Sequence, residues 1–224
     1  MRALYTMTGT SEFLGGDLTR GTRGTRGNRN VLPTIDPIRP VLSKVVPLGR
    51  EWLYEPKLDG FRGTLYLEDG LGFFLSKTKK PMPRFRDLAM QLAATLPLRN
   101  AIFDGEIVVM RHGNVDFNAL LFTRGQPTFA AFDLLWLDGV DLRFLPLHRR
   151  KARLKRLTQH TLIGYVAAMP EPELFEATVR LDMEGIVAKR RNNPYAPATQ
   201  WVKVKHAGYT QKEGRWELFG VRQR

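Results

Sequence analysis

Five short runs of this chain carry residues able to do phosphate chemistry. In order they are Glu55-Pro56-Lys57-Leu58-Asp59-Gly60-Phe61-Arg62-Gly63, Phe103-Asp104-Gly105-Glu106, Ala131-Phe132-Asp133, Glu184-Gly185-Ile186-Val187-Ala188-Lys189 and Trp201-Val202-Lys203-Val204-Lys205. In the first, a lysine directly follows a strand, and a glycine three residues on lets the backbone turn tightly around a ligand. A lysine attacks phosphorus only as the free amine, so such a site must lower its pKa with nearby positive charge or by desolvation. Lysines and carboxylates in combination suit a cation-assisted phosphate reaction. Taken alone, Lys57-x-Asp59-Gly60 is equally a β-turn with a solvated lysine.

Other chemistries lack their residues or spacings. There is no GxxxxGK, no GxGxxG after a strand, no HExxH and no GxSxG. The four histidines, His112, His148, His160 and His206, are scattered, and with no cysteine there is neither a thiol nucleophile nor a cysteine zinc site. The 35 Lys and Arg against 22 Asp and Glu leave a net charge of +13 and a pI near 10.3, which points to a polyanionic partner, nucleic acid first. No stretch approaches the ~18 apolar residues of a membrane span and no signal-peptide core opens the chain, so a cytoplasmic protein without membrane contact is expected.

The elements that must position these runs alternate between two periods. Arg20, Arg23, Arg26 and Arg29 recur among Gly and Thr without apolar partners, so residues 1–30 are expected to be a flexible basic arm, either a phosphate-contacting one or a solvated tail. Residues 31–224 then form the folded domain. Pro33, Pro37, Pro40 and Pro47 predict an extended connector into a first strand at Trp52–Glu55. Strands at Arg62–Glu68 and Leu71–Ser76 flank Asp69-Gly70, a hairpin signal. A helix follows Pro83 and ends near Pro97. Strands are expected at Ala101–Met110, turning at His112-Gly113-Asn114, and at Phe129–Leu137, closed by Asp138-Gly139. Helices at Leu147–Leu157 and Pro172–Leu181 precede strands at Gly185–Lys189 and Trp201–Lys205. Hairpins with helices between them predict an α+β domain on antiparallel sheets. In the last strand, alternation puts Lys203 and Lys205 on one face and Val202 and Val204 on the other.

The ordered set, with the phrases FDLLWLDG and KRRNNPYAP, resembles the adenylation domain of the ATP-dependent DNA ligases over about residues 36–218. It particularly resembles the ligase module of bacterial end-joining polymerase-ligases and related stand-alone proteins. The resemblance implies an ATP-grasp-like nucleotidyltransferase fold with antiparallel sheets flanked by helices, and ATP with Mg²⁺ or Mn²⁺ as cofactors. Lys57 would be the nucleophile that takes AMP. Glu55 would lie beside the adenine amino group, with Phe132 as the stacking face and Lys189 in the same nucleotide site. Glu106 resembles the ribose-binding carboxylate, and with Glu184 it is expected at the metal. Lys203 and Lys205 would neutralise the α-phosphate and help depress the Lys57 pKa. Arg62 would lie near the AMP and the 5′ end of the break. Asp59 would either orient the turn or assist the metal.

Two departures stand out. Where the family usually has Ser-Arg, this chain has Ser76-Lys77, which keeps the nucleic-acid-facing charge and loses bidentate phosphate geometry. Only 19 residues follow Lys205, too few for the family's OB fold, so a minimal form without that domain is expected. The implied activity is sealing of 5′-phosphate/3′-hydroxyl breaks by a monomer acting on nicked or broken DNA, alongside end-joining or repair proteins. An RNA ligase, a capping-type nucleotidyltransferase, or a non-catalytic nucleic-acid-binding remnant needing a partner's OB fold are the alternatives.

Overall fold

A computed structural model describes residues 5–6, 32–96 and 98–212. The four arginines of the expected arm, its boundary at residue 30, and the tail beyond residue 212 lie outside the described residues. The first elements in chain order are β1 (Tyr5–Thr6), β2 (Val41–Ser43), β3 (Trp52–Pro56), β4 (Phe61–Glu68), β5 (Leu71–Ser76), α1 (Arg86–Ala94), β6 (Asn100–Arg111) and β7 (Asn114–Val115). They are followed by α2 (Phe117–Leu121), β8 (Pro127–Leu137), β9 (Val140–Asp141), α3 (Leu147–Leu157), β10 (Ile163–Val166), α4 (Leu174–Arg180), β11 (Gly185–Arg190) and β12 (Trp201–Lys205).

Three tight hairpins shape the large sheet for one local reason. Asp69-Gly70, His112-Gly113 and Asp138-Gly139 each place two successive residues at positive φ, the twist that matches right-handed flanking strands. The resulting sheet runs β1-β10-β8-β6-β4-β5, with β7 and β9 as short hairpin partners. A smaller sheet runs β2-β12-β11-β3. The α+β class is as expected, and most pairings are antiparallel, but β10 runs parallel to β8 and β2 parallel to β12. The expected connector before Trp52 is therefore interrupted by a strand. Its three residues carry no usable periodicity, and only the distant β12 defines them. The short elements α2 and β10 also escape a pattern reading. The helix after Pro83 opens as a 3₁₀ turn, and α4 begins at Leu174, two residues beyond Pro172.

Alternation along β4, β6 and β8 divides the core. Leu65, Phe103, Ile107 and Leu134 face one way, onto Phe85, Leu92 and Leu154 of the helical layer. Tyr66, Ile102 and Leu135 face the other way and pack with Trp201 of the small sheet and with Ile35, Ile38 and Tyr195. The small sheet's outer face, with Tyr54, Ala188 and Val204, packs on Leu174 and Phe175 of α4. The inner faces of the two sheets therefore oppose each other. Among the described residues no helix is long and apolar enough to cross a membrane.

Candidate active site

Residues 57–60 carry the chain from the small sheet to the large one, so Lys57 stands at the seam between them. Its backbone N–H donates to Gly185 O at 2.8 Å, which ties the turn to the start of β11. Two glycines permit this closeness. A Cβ on Gly60 would lie 2.2 Å from Ile107 O. One on Gly185, at φ +132°, would lie 2.1 Å from Val204 O.

The seam opens into a cleft of about 480 Å³, lined by Glu55, Lys57, Arg62, Lys77, Glu106, Phe132, Lys189 and Lys203 among others. Cross-strand register explains the grouping. Glu55 pairs with Val187 and Val187 with Lys203, which puts all three on the inner face, and Arg62 pairs with Glu106 across the opposing sheet. Lys57 Nζ donates to Glu184 Oε2, and Lys205 Nζ lies 3.0 Å from Glu184 Oε1, so one buried carboxylate receives two ammonium groups. Burial, followed by the charges of Lys57 and Lys205, holds the Lys203 ammonium below its ordinary pKa, against the pull of Glu184. Burial pushes the Glu106 carboxyl up to about 7, against the attraction of Lys57 and Arg62 and with help from Glu184.

The inner end of the cleft holds a second charge cluster. Glu55 lies 2.8 Å from Lys151 and 2.5 Å from Lys189, all three being buried. Glu55 Oε1 and Lys189 Nζ are held in these ion pairs without a well-aligned hydrogen bond. Desolvation lowers the Lys189 pKa while Glu55 opposes it. Lys189 Nζ also stands 4.3 Å from the Phe132 ring centroid and 4.0 Å from that of Trp201. Arg62 makes a two-pronged pair with Asp104 at 3.1 and 2.6 Å and donates to Ile38 O, so only its remaining N–H groups can face a ligand. Tyr195 donates to the same Asp104 at 2.7 Å.

Asp59 accepts from Tyr209 OH at 2.9 Å. The segment carrying Tyr209 is fastened on both sides. His206 N donates to Glu184 O at 2.9 Å, and Gln211 joins Phe117 N at 2.8 Å to Val115 O at 2.7 Å. Among the described residues no cluster of three or more carboxylates or histidines forms a metal cage. Glu184 and Glu106, both in electrostatic contact with Lys57, are nonetheless a fitting donor set for Mg²⁺, which is held by one or two carboxylates together with substrate phosphates and water.

Sequence reasoning missed Lys151, Trp201 as a wall of the cleft, and Tyr209. For Lys151 a signal existed. It lies four residues after Leu147 and three before Leu154, on the helix face that must turn inward.

A family model described as the ATP dependent DNA ligase domain matches residues 35–205. The multifunctional non-homologous end joining protein LigD of Pseudomonas aeruginosa is 31% identical over 207 residues, covering 82% of this chain and 25% of that protein. DNA ligase C of Mycobacterium tuberculosis is 29% identical over 201 residues, covering 78% of this chain and 56% of that protein. Among solved structures, mycobacterial DNA ligase D complexed with ATP and MES aligns with a TM-score of 0.65 at 29% identity, over 76% of this chain and 60% of the other. The chain belongs to the ATP-dependent DNA ligase domain family, as its ordered motifs imply, and shares the nucleotidyltransferase fold of the LigD ligase domain. It spans between 25% and 56% of the length of the two relatives named.

Two predictions follow from this geometry. Glu106 binds its proton more tightly folded than unfolded, so its contribution to stability is complete below about pH 4.5 and is lost as pH rises through about 7. Urea midpoints at pH 5 and pH 8 should therefore fall more for the parent than for Glu106→Gln. An equal change in both proteins would show that Glu106 is not so perturbed. Tyr209→Phe removes a hydroxyl donating to a buried carboxylate and should cost ~1–3 kcal/mol in urea unfolding. An unchanged midpoint would mean that this bond contributes nothing.

Proposed function

We propose that this chain is the adenylation module of an ATP-dependent DNA ligase, in which Lys57 accepts AMP from ATP and passes it to a 5′-phosphate. One arrangement carries the reading. A lysine on a tight turn between two sheets meets Glu184, Lys203, Lys205 and Glu106 at a cleft large enough for a nucleotide.

In the first step Lys57 Nζ forms a bond to the α-phosphorus, the bond to the β,γ-phosphates breaks, and pyrophosphate leaves. The amine must shed a proton, and Glu184 Oε2, which already accepts a hydrogen bond from Nζ, can receive it. Lys203 and Lys205 supply positive charge where the transferring phosphate accumulates negative charge. Glu184 and Glu106 would hold the divalent cation, which would neutralise phosphate charge. Phe132 and Trp201 offer an aromatic wall for the base, and Glu55 with Lys189 offers an acceptor and a donor for its edge. A 5′-phosphate oxygen then attacks the AMP phosphorus and releases Lys57, and a 3′-hydroxyl displaces AMP to seal the strand. DNA is the polynucleotide we infer, because the relatives at 29–31% identity are named for end joining or as DNA ligases. Lys77 at the exposed edge of the cleft, Arg62 through its remaining N–H groups, and the arginines of the N-terminal segment would meet its phosphates.

Incubation with ATP and Mg²⁺ should give a covalent, acid-labile AMP adduct, seen as a mass increase and absent in Lys57→Ala. A normal adduct in that variant would overturn the assignment. Lys203 is more enclosed than Lys205, whose side chain is 47% exposed and screened by water. Lys203→Ala should accordingly slow adduct formation by ~2–4 kcal/mol of barrier, and Lys205→Ala by less. Parental rates in both would remove these lysines from the phosphate site.

A further inference from the structure

From Leu142 to Pro170 the chain has no acidic side chain and seven basic ones. Two of these, Arg150 and Lys151, are buried inward against Asp133 and Glu55, and Arg143 pairs with Asp141. The other four, Arg149, Arg153, Lys155 and Arg156, are exposed on the outward face of α3. Arg191 joins them, because His148 N donates to Arg191 O at 3.0 Å and holds that turn against the helix start. Among the described residues none of these five has a carboxylate within ion-pair distance.

The face runs against the ordinary electrostatics of a helix. Arg149 and Arg153 are like charges four residues apart, and Arg153 and Arg156 are three apart, spacings at which a carboxylate would stabilise and a second cation repels. The first turn carries His148 and Arg149 and no acidic residue, the wrong sign for the positive end of the helix dipole. Apolar packing through Leu147 and Leu154 holds the helix in spite of this repulsion. A polyanion on the outside would relieve it. Arg149 to Arg156 spans about 10 Å of helix, and one strand of B-DNA places about three phosphates over that rise.

We propose that the outward face of α3, with Arg191, binds the phosphate backbone of DNA at a surface separate from the cleft. Lys151, on the inward face of the same helix, pairs with Glu55, which lines the cleft, so the outward residues point away from it. DNA held here is not the phosphate being joined at Lys57. The contact positions duplex without reading its sequence. The proposal rests on the DNA-ligase reading only for the choice of nucleic acid.

The test compares the parent with Arg149→Gln/Arg153→Gln/Arg156→Gln and with a charge-matched control, Arg86→Gln/Arg99→Gln/Arg180→Gln, whose sites are exposed and off α3. Binding of a nicked duplex is followed across a salt titration, and adduct formation with ATP is followed by mass. If all three arginines contact phosphate, the α3 variant lowers the slope of log affinity against log salt by up to ~2.7, at ~0.9 per contact, and the control lowers it far less. Adduct formation stays within about twofold, since none of the three touches the cleft. Equal slopes for the two variants would reduce the face to general charge and overturn the proposal. So would loss of poly-glutamate binding with an unchanged DNA slope, which would mark a protein-docking face. Failure of the parent to form an adduct would sink the ligase reading and leave the slope comparison standing.

Discussion

Glu55 is a single carboxylate buried between two ammonium groups, and the two halves of the cleft are held in relation by that charge. Lys189 reaches it from β11 of the small sheet, and Lys151 from α3, which packs on β8 of the large one. Buried ion pairs are expensive to desolvate and are not a simple source of stability. Here, with Asp133 and Arg150 alongside, three cations face two carboxylates. Such an excess is poorly suited to a sealed core. It is well suited to the floor of a cleft that receives a ligand bringing acceptors, and the unaligned Lys189 Nζ lies at that floor.

The same economy of charge governs the other end of the cleft. Lys57, Lys203 and Lys205 would repel one another around a single turn if Glu184 were not buried beside them. A carboxylate that balances lysines must exchange partners when a polyphosphate enters. In the proposed chemistry a divalent cation or the departing Lys57 proton would be its new partner. The backbone is fixed so that this exchange happens among side chains. Lys57 N is tied to β11, Gly60 and Gly185 admit close main-chain approach, and Asp59 is fastened to Tyr209 on the distant turn after β12.

α3 connects this interior to the surface. One face places Arg150 and Lys151 among the buried carboxylates, and the opposite face carries Arg149, Arg153, Lys155 and Arg156 without a paired carboxylate among the described residues. A helix with this composition would be a poor one in isolation. It is stable here because Leu147 and Leu154 are buried, which lets the outer face keep charges that folding does not require.

The sequence by itself determined what is local or strictly periodic. The three X-Gly hairpins were legible because only a left-handed pair of residues closes so tight a turn. The burial of Val204 opposite Lys203 followed from period two, and α3 from its leucine spacing. The five ordered motifs were legible as a set, and with them the membership of Lys57, Glu184 and Lys203 in one site. Tertiary structure alone decided the rest. β2 and β10 are strands because a distant strand supplies their hydrogen bonds, and three or four residues carry too little pattern to announce it. The two parallel pairings follow from how the sheets close, which no local signal encodes. Asp59 accepts from a hydroxyl 150 residues away, a partner that no local signal announces. The leucine spacing of α3 puts Lys151 on the inward face, but no local signal says which carboxylate it meets there. It is buried because its face of the helix meets β8, where it donates to Phe132 O, and because Glu55 of β3 pairs with it there. Charge type is written in the sequence, but whether a charge is solvated or paired depends on which segments the fold brings together.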